Sequence, residues 1–262
     1  MHPFRASWLK GAAYLGLASF SCVFFTAFSP PILTAETASQ LPLIGSLPGD
    51  LPGYWMRFAL SFILLGLAPA ALAMLFRETP ASLGISFETK VLRSPVFWLS
   101  VPAAVLAGAI GAVSPDIASY YPYARSLIGR TKESGLGPLL GHYAAYFFLY
   151  YVPWEFFFRG FLLFPFALAA QRELERHSPI EEKQSTHESP LIAALVLFQT
   201  MPSAMLHVGH PLSELAGAVA AGIGFGILAW KTRSIIPGLI LHAAIGFGTD
   251  GFIVLKGAGF LS

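Results

Sequence analysis

A glutamate and an arginine four residues apart, Glu155 and Arg159, interrupt the apolar run from Leu139 to Ala170 in the stretch Trp154-Glu155-Phe156-Phe157-Phe158-Arg159-Gly160. Two histidines sit in later apolar segments, His207 after Pro202-Ser203-Ala204-Met205-Leu206 and His242 after Pro237-Gly238-Leu239-Ile240-Leu241. Side chains of these types exchange protons, bind cations or stabilise developing charge. At a bilayer centre each charged group would cost roughly 2.5 to 3.5 kcal/mol, so a charge without a task is not expected there. The four-residue spacing places Glu155 and Arg159 on one helical face with the acid on the N-terminal side, the better order for an ion pair. A lone histidine in an apolar helix is more often a hydrogen-bonded structural residue than a reactive one. Glu-x-x-x-Arg, then His, then His across three separate apolar segments is harder to dismiss, because intramembrane ionisable groups mark functional sites by default.

The elements that must position these groups follow from composition. Of 262 residues, 55% are hydrophobic and only 11% charged, and the mean hydropathy is +0.64. An ordinary soluble domain carries roughly 25% charged residues, so the chain reads as a polytopic membrane protein. Seven apolar stretches, near residues 8–28, 54–76, 96–113, 139–170, 191–208, 212–230 and 235–255, each approach the ~20 residues that span a bilayer. They are apolar all round and lack the alternation of barrel strands, so the expected class is all-α, a bundle of about seven transmembrane helices forming one membrane domain over 1–262.

The net charge of +2 is spread over short connections and not gathered on one basic face, which argues against nucleic-acid binding. With a cytoplasmic N-terminus, Arg5 and Lys10, then Arg77, Lys90 and Arg93, then Arg172, Arg176 and Lys183, then Lys231 and Arg233 all fall on one side. The connection with Arg125, Arg130 and Lys132 is the exception. The expected topology is N-in, C-out, in a bacterial cytoplasmic membrane. The basic start followed by an apolar stretch also fits a signal peptide cleaved near Ala35. Cys22 is alone, so no disulfide framework or cysteine metal site exists. Gly222 and Gly226 have the spacing that lets two helix backbones approach, and the absence of an internal repeat weakens transporter folds built from inverted halves.

From about 137 to 250 the order of these residues resembles the CAAX-protease and bacteriocin-processing family of intramembrane proteases, the group containing the Ras-converting prenyl endopeptidases. That family's pattern is Glu-Glu-x-x-x-Arg, then Phe-x-x-x-His, then His-x-x-x-Asn or Asp. Glu155 and Arg159, with Phe158-Arg159-Gly160 closing the first motif, match the second Glu and the Arg; His207 and His242 match the two histidines. The loop Ala81-Ser82-Leu83-Gly84-Ile85 also resembles a Leu-Gly loop common upstream in the family. Three positions depart: Trp154 stands for the first Glu, Ser203 for the Phe and Gly246 for the Asn or Asp. Asp250, two turns beyond His242, could offer a carboxylate in their place.

The resemblance implies hydrolysis of a peptide bond in a membrane-associated peptide or protein, which needs water, a base and a group to stabilise the oxyanion. In that reading Glu155 is the base, Arg159 keeps it ionised, and His207 and His242 hydrogen-bond the oxyanion or bind a metal. Glu155, His207 and His242 could furnish three ligands to zinc or another divalent metal with an open position for water, but a liganded Glu155 would not be free as base. No His-Glu-x-x-His helix exists, which excludes the ordinary zincin arrangement. The alternatives are a non-catalytic homologue serving as membrane scaffold or assembly factor, with Glu155 and Arg159 as a structural pair, and a proton-coupled transporter. His142, thirteen residues before Glu155, is expected on a different face and near a helix end. His210 and Glu214 are expected at the interface, and the phenylalanines 156–158 on a lipid or packing surface.

Overall fold

The computed structural model describes residues 3–28, 40, 42, 45, 46, 49–177 and 190–261, with no strand among them. The helices are α1 (Pro3–Phe28), α2 (Leu51–Leu75), α3 (Pro95–Gly111), α4 (Pro115–Tyr120), α5 (Ser126–Ser134), α6 (Gly137–Arg176), α7 (Pro190–Met205), α8 (Leu212–Thr232) and α9 (Ile236–Gly257). Five of them, α1 from Trp8, α2, α6, α8 and α9, are long and apolar enough to cross a membrane, and α3 and α7 are shorter apolar helices of 17 and 16 residues. The protein is an integral membrane helix bundle whose seven apolar helices correspond to the seven expected stretches. The cleavage position near Ala35 and the polar stretch 178–189 lie outside the described residues.

α6 is the central helix and by far the most buried of the long ones. The expected lipid-facing option for its phenylalanines does not hold: Phe156, Phe157 and Phe158 are all buried, as are Trp154, Phe161 and Phe164. Tyr14 of α1 stacks on Phe161 with ring centroids 4.2 Å apart, joining the first span to this aromatic core. Such pairs add roughly 0.5 to 1.5 kcal/mol to the burial itself.

Two helices widen locally. In α2 the Ala68 N–H reaches the Ile63 carbonyl, and in α6 Val152 reaches Phe147 and Leu162 reaches Phe157, each a five-residue step instead of four. Pro69 and Pro153 follow the first two of these turns immediately. A proline has no N–H to continue the ladder and its ring displaces the carbonyl four residues back, so the helix accommodates it by widening. Glu155 therefore lies between the two wide turns of α6, and Arg159 lies within the second, Phe156–Phe161.

Glycines set the closest helix contacts. A Cβ on Gly108 would lie 1.9 Å from the Ile245 carbonyl oxygen, and one on Gly248 2.0 Å from that of Val105, so α3 and α9 touch backbone to backbone. Gly222 and Gly226 of α8 instead make room for side chains of α7, where added Cβ atoms would meet Thr200 and Gln199 at 2.7 Å. The Gln199 amide occupies that contact and donates to the Gly222 carbonyl at 2.9 Å. The packing role expected for this glycine pair is what the structure shows. The short Leu-Gly loop tucks under α6: Gly84, at φ 68°, presents its carbonyl to the Ile235 N–H at 2.8 Å, while a Cβ there would strike the Phe164 ring.

Candidate active site

The central observation is a direct bond between residues 87 positions apart. His242 Nδ1 lies 2.6 Å from Glu155 Oε1, and Arg159 Nη1 lies 3.2 Å from the same oxygen. α6 supplies the acid and the cation, and α9 brings the imidazole. Gly238, one turn before His242, packs beside the pair, where an added Cβ would make only ordinary contacts, 3.6 Å from Glu155 Oε2 and 3.4 Å from Phe225. The guanidinium is in ionic contact but off the hydrogen-bond direction, and its Nε and Nη1 have no hydrogen-bond partner. Its attraction to the carboxylate is thus chiefly Coulombic, with the Phe158 and Phe225 rings 6.0 and 5.9 Å away.

Exposure separates the roles. The Glu155 side chain is 0% exposed, whereas that of His242 is 23% exposed and lines a cavity of about 520 Å³. A carboxylate accepting from Nδ1–H fixes the neutral imidazole with its lone pair on Nε2. Glu155 therefore orients an imidazole, and the imidazole faces the cavity.

The cavity is walled by α3, α6, α8 and α9 and is mainly apolar apart from a few converging polar groups. Tyr151 is one of them. Its ring meets His242 edge-on at 4.9 Å, and its hydroxyl occupies the place a side chain at 246 would take, since a Cβ there would be 1.6 Å from that oxygen. The glycine at the family's Asn or Asp position thus makes room for a tyrosine hydroxyl from α6.

His207 lines the same cavity as His242. α7 runs through Pro202 to Met205, and His207 sits in the turn beyond, its Nδ1 donating to the Ser203 carbonyl at 2.8 Å. Trp154, buried in the first-Glu position, stacks on Tyr150 at 5.4 Å and meets the His207 ring edge-on, also at 5.4 Å. The indole is therefore wedged beside the histidine.

Asp250 lies on the cavity wall, but its Oδ2 is held by His142 Nε2 at 2.7 Å, and His142 Nδ1 is 2.9 Å from the Tyr54 hydroxyl. Tyr54 donates to Nδ1 and Nε2–H donates to the carboxylate, a set that closes with every imidazole nitrogen used. The expectation of a snorkelling His142 near a helix end is corrected: the residue is buried and ties α2, α6 and α9 together. Asp250 thus has one oxygen engaged by His142, while its Oδ1 has no hydrogen-bond partner. Thirteen residues of ideal helix do place His142 away from Glu155, but α6 has an intervening wide turn, so such arithmetic loses phase along it.

A donor set for a metal was tested on the same geometry. Among the described residues no three His, Cys, Asp or Glu side chains are grouped to hold an ion. Glu155 Oε1 is engaged by His242 and Arg159, and His207 is turned toward Ser203. The residues as placed do not fit a three-ligand site made of Glu155, His207 and His242.

Two further residues escaped sequence reasoning. Arg57 is buried in α2, with Nη2 donating to the Tyr150 hydroxyl at 3.1 Å and its guanidinium over the Tyr123 ring at 4.9 Å. It is the one charge between Leu51 and Leu75, which was the available signal. Tyr151 had none, because its role depends on a glycine 95 positions away. Glu214 and His210, expected at the interface, line the cavity mouth, where Glu214 Oε1 accepts from the Tyr121 hydroxyl at 2.7 Å and from His210 Nδ1 at 2.9 Å.

Residues 137–248 match the family described as type II CAAX prenyl endopeptidase Rce1-like. The chain carries an Rce1-like domain. The family expectation drawn from Glu155, Arg159, His207 and His242 holds, and all four lie inside the matched range. Asp250 falls two residues beyond it. No curated protein and no solved structure matches the chain. The matched range runs from α6 into α9, the helices that carry the Glu155–His242 pair, and α3 adds a wall of the cavity from outside it.

Proposed function

We propose that this protein is an intramembrane endopeptidase that hydrolyses a membrane-associated peptide or protein, with His242 as the base and Glu155 as its buried orienting anion. The carrying observation is the 2.6 Å bond between Glu155 and a cavity-facing His242. His242 Nε2 removes a proton from water as the oxygen attacks the peptide carbonyl; the imidazolium, stabilised through Nδ1 by Glu155, then returns the proton to the departing amine. Arg159 keeps Glu155 anionic in a dry setting. Tyr151, whose ring meets His242, supplies a hydroxyl donor for the oxyanion. His207, with Nδ1–H already donated, offers Nε2 as an acceptor that orients the water.

This assignment moves the base from Glu155, where the family resemblance puts it, to His242, because the carboxylate is shut off from the cavity. No step is routed through a metal, since the residues do not form a ligand set. Trp154 favours a second reading, a non-catalytic scaffold: the indole fills the first-Glu position and closes on His207. Incubating the purified chain with a quenched-fluorescent peptide library, with and without zinc, separates the two. Cleavage supports the peptidase, and silence under both conditions supports the scaffold.

A further inference from the structure

The cavity carries a second polar centre in addition to the Glu155–His242 pair. Glu214, in the first turn of α8, is joined there by His210, Tyr121 and Ser213, while Asp250 lies on the α9 wall. Both carboxylates are half satisfied. Glu214 Oε1 takes two donors, but Oε2 has none, and Asp250 Oδ2 is held by His142 while Oδ1 has none. Buried acceptors without donors are expensive, and native structures keep them few.

No lysine or arginine is among the residues that line the cavity. Its charged lining groups are thus acidic, with histidines beside them. The Asp250 side chain is 1% exposed and that of Glu214 19% exposed, with Glu214 Oε2 itself buried. The Tyr121 phenol, pushed well above its usual range by burial and then by the Glu214 carboxylate, stays a donor and leaves its ring as a flat wall. Tyr120 packs on Tyr121 at 5.0 Å and on His210 at 4.5 Å, so the carboxylate is framed by aromatic faces. Anionic oxygens lacking donors beside aromatic faces suit one ligand chemistry, a multi-donor organic cation.

We infer that the mouth of the cavity is a subsite for a basic side chain, the ammonium of lysine or the guanidinium of arginine, with Glu214 as the primary acceptor. The inference rests on the reading of the cavity as a peptide site and adds which peptides it takes. A neutral or acidic residue at that position leaves Oε2 without a donor or sets two anions together. An apolar segment with one basic residue fills both the apolar wall and the acidic mouth.

Binding tests this without any turnover. The full chain in zwitterionic nanodiscs is titrated with a fluorescent, backbone N-methylated apolar peptide that resists cleavage and carries either one lysine or norleucine in its place. The lysine peptide is expected to bind about 10 to 100 times more tightly, the range for a hydrogen bond to a charged group. Glu214→Gln should remove that preference and leave norleucine binding unchanged; Glu214→Asp should keep part of it, and melting curves of both variants confirm folding. Equal binding of the two peptides, an equal loss of both in Glu214→Gln, or no binding of either overturns the subsite. Because the peptide is not cleaved, a chain that binds lysine selectively yet hydrolyses nothing would sink the peptidase reading and keep the subsite.

Discussion

Removing the Glu155 carboxylate leaves Arg159 as a buried cation whose ionic partner has gone. At the observed 3.2 Å separation, Coulomb's law with an effective dielectric of about 20 gives roughly 5 kcal/mol for the pair. Glu155→Gln keeps a carbonyl acceptor for His242 Nδ1–H, so that hydrogen bond weakens but survives. Most of the loss is then the stranded guanidinium, which has no hydrogen-bond acceptor for Nε or Nη1 and has the Phe158 and Phe225 rings beside it. Loss of one partner in a buried pair typically costs about 3 to 5 kcal/mol, and the same range is expected here for Glu155→Gln and for Arg159→Gln. Replacing both, Glu155→Gln with Arg159→Gln, removes both charges and should cost clearly less than the sum. Unfolding of the three variants by denaturant in detergent micelles gives the coupling energy directly, expected at about 2 kcal/mol or more. Additive losses, or single variants within 1 kcal/mol of wild type, would refute the claim that these groups depend on each other in a water-poor site.

The clamp around His142 should behave as a unit: His142→Ala and Asp250→Asn should each destabilise by about 1.5 to 3 kcal/mol and Tyr54→Phe by about 1, read in the same unfolding assay. Non-additivity of His142→Ala with Asp250→Asn is the specific signature. Gly248→Ala puts a methyl 2.0 Å from the Val105 carbonyl and should unfold or reshape the α3–α9 contact, whereas Gly16→Ala, with nothing within 4 Å, should be silent by melting temperature. The distribution of Lys and Arg gives an N-in, C-out proposal for topology: reporter fusions after Gly49 and after Ser262 should both report the non-cytoplasmic side, and a cytoplasmic signal at either would overturn it.

Sequence alone revealed the scaffold because bilayer thickness imposes its own length rule on apolar stretches. Glu155, Arg159 and His242 were legible for a related reason: a charge or imidazole in hydrocarbon needs a partner, and few partners are available. What could not be read is rotation. The wide turns before Pro153 and beyond Phe157 alter the face each residue of α6 presents, so neither the burial of His142 nor the position of Tyr151 follows from counting 3.6 residues per turn. The division of labour between Glu155 and His242 is likewise a matter of depth. Both were visible as reactive types, but only packing shows which one the cavity reaches. Gly246 reads as a missing side chain in the sequence, and in the structure its volume is taken by a hydroxyl from another helix.

The central claim is that His242, oriented by Glu155, activates water for peptide hydrolysis. The most direct measurement is the cleavage rate of the best library peptide by wild type, His242→Ala and Tyr151→Phe, each shown to be folded by its melting curve. Loss of a general base typically costs 10² to 10⁴-fold, so His242→Ala should fall by about that much in kcat, and Tyr151→Phe by a smaller factor also seen in kcat and not in KM. A His242→Ala variant that cleaves at the wild-type rate would contradict the account.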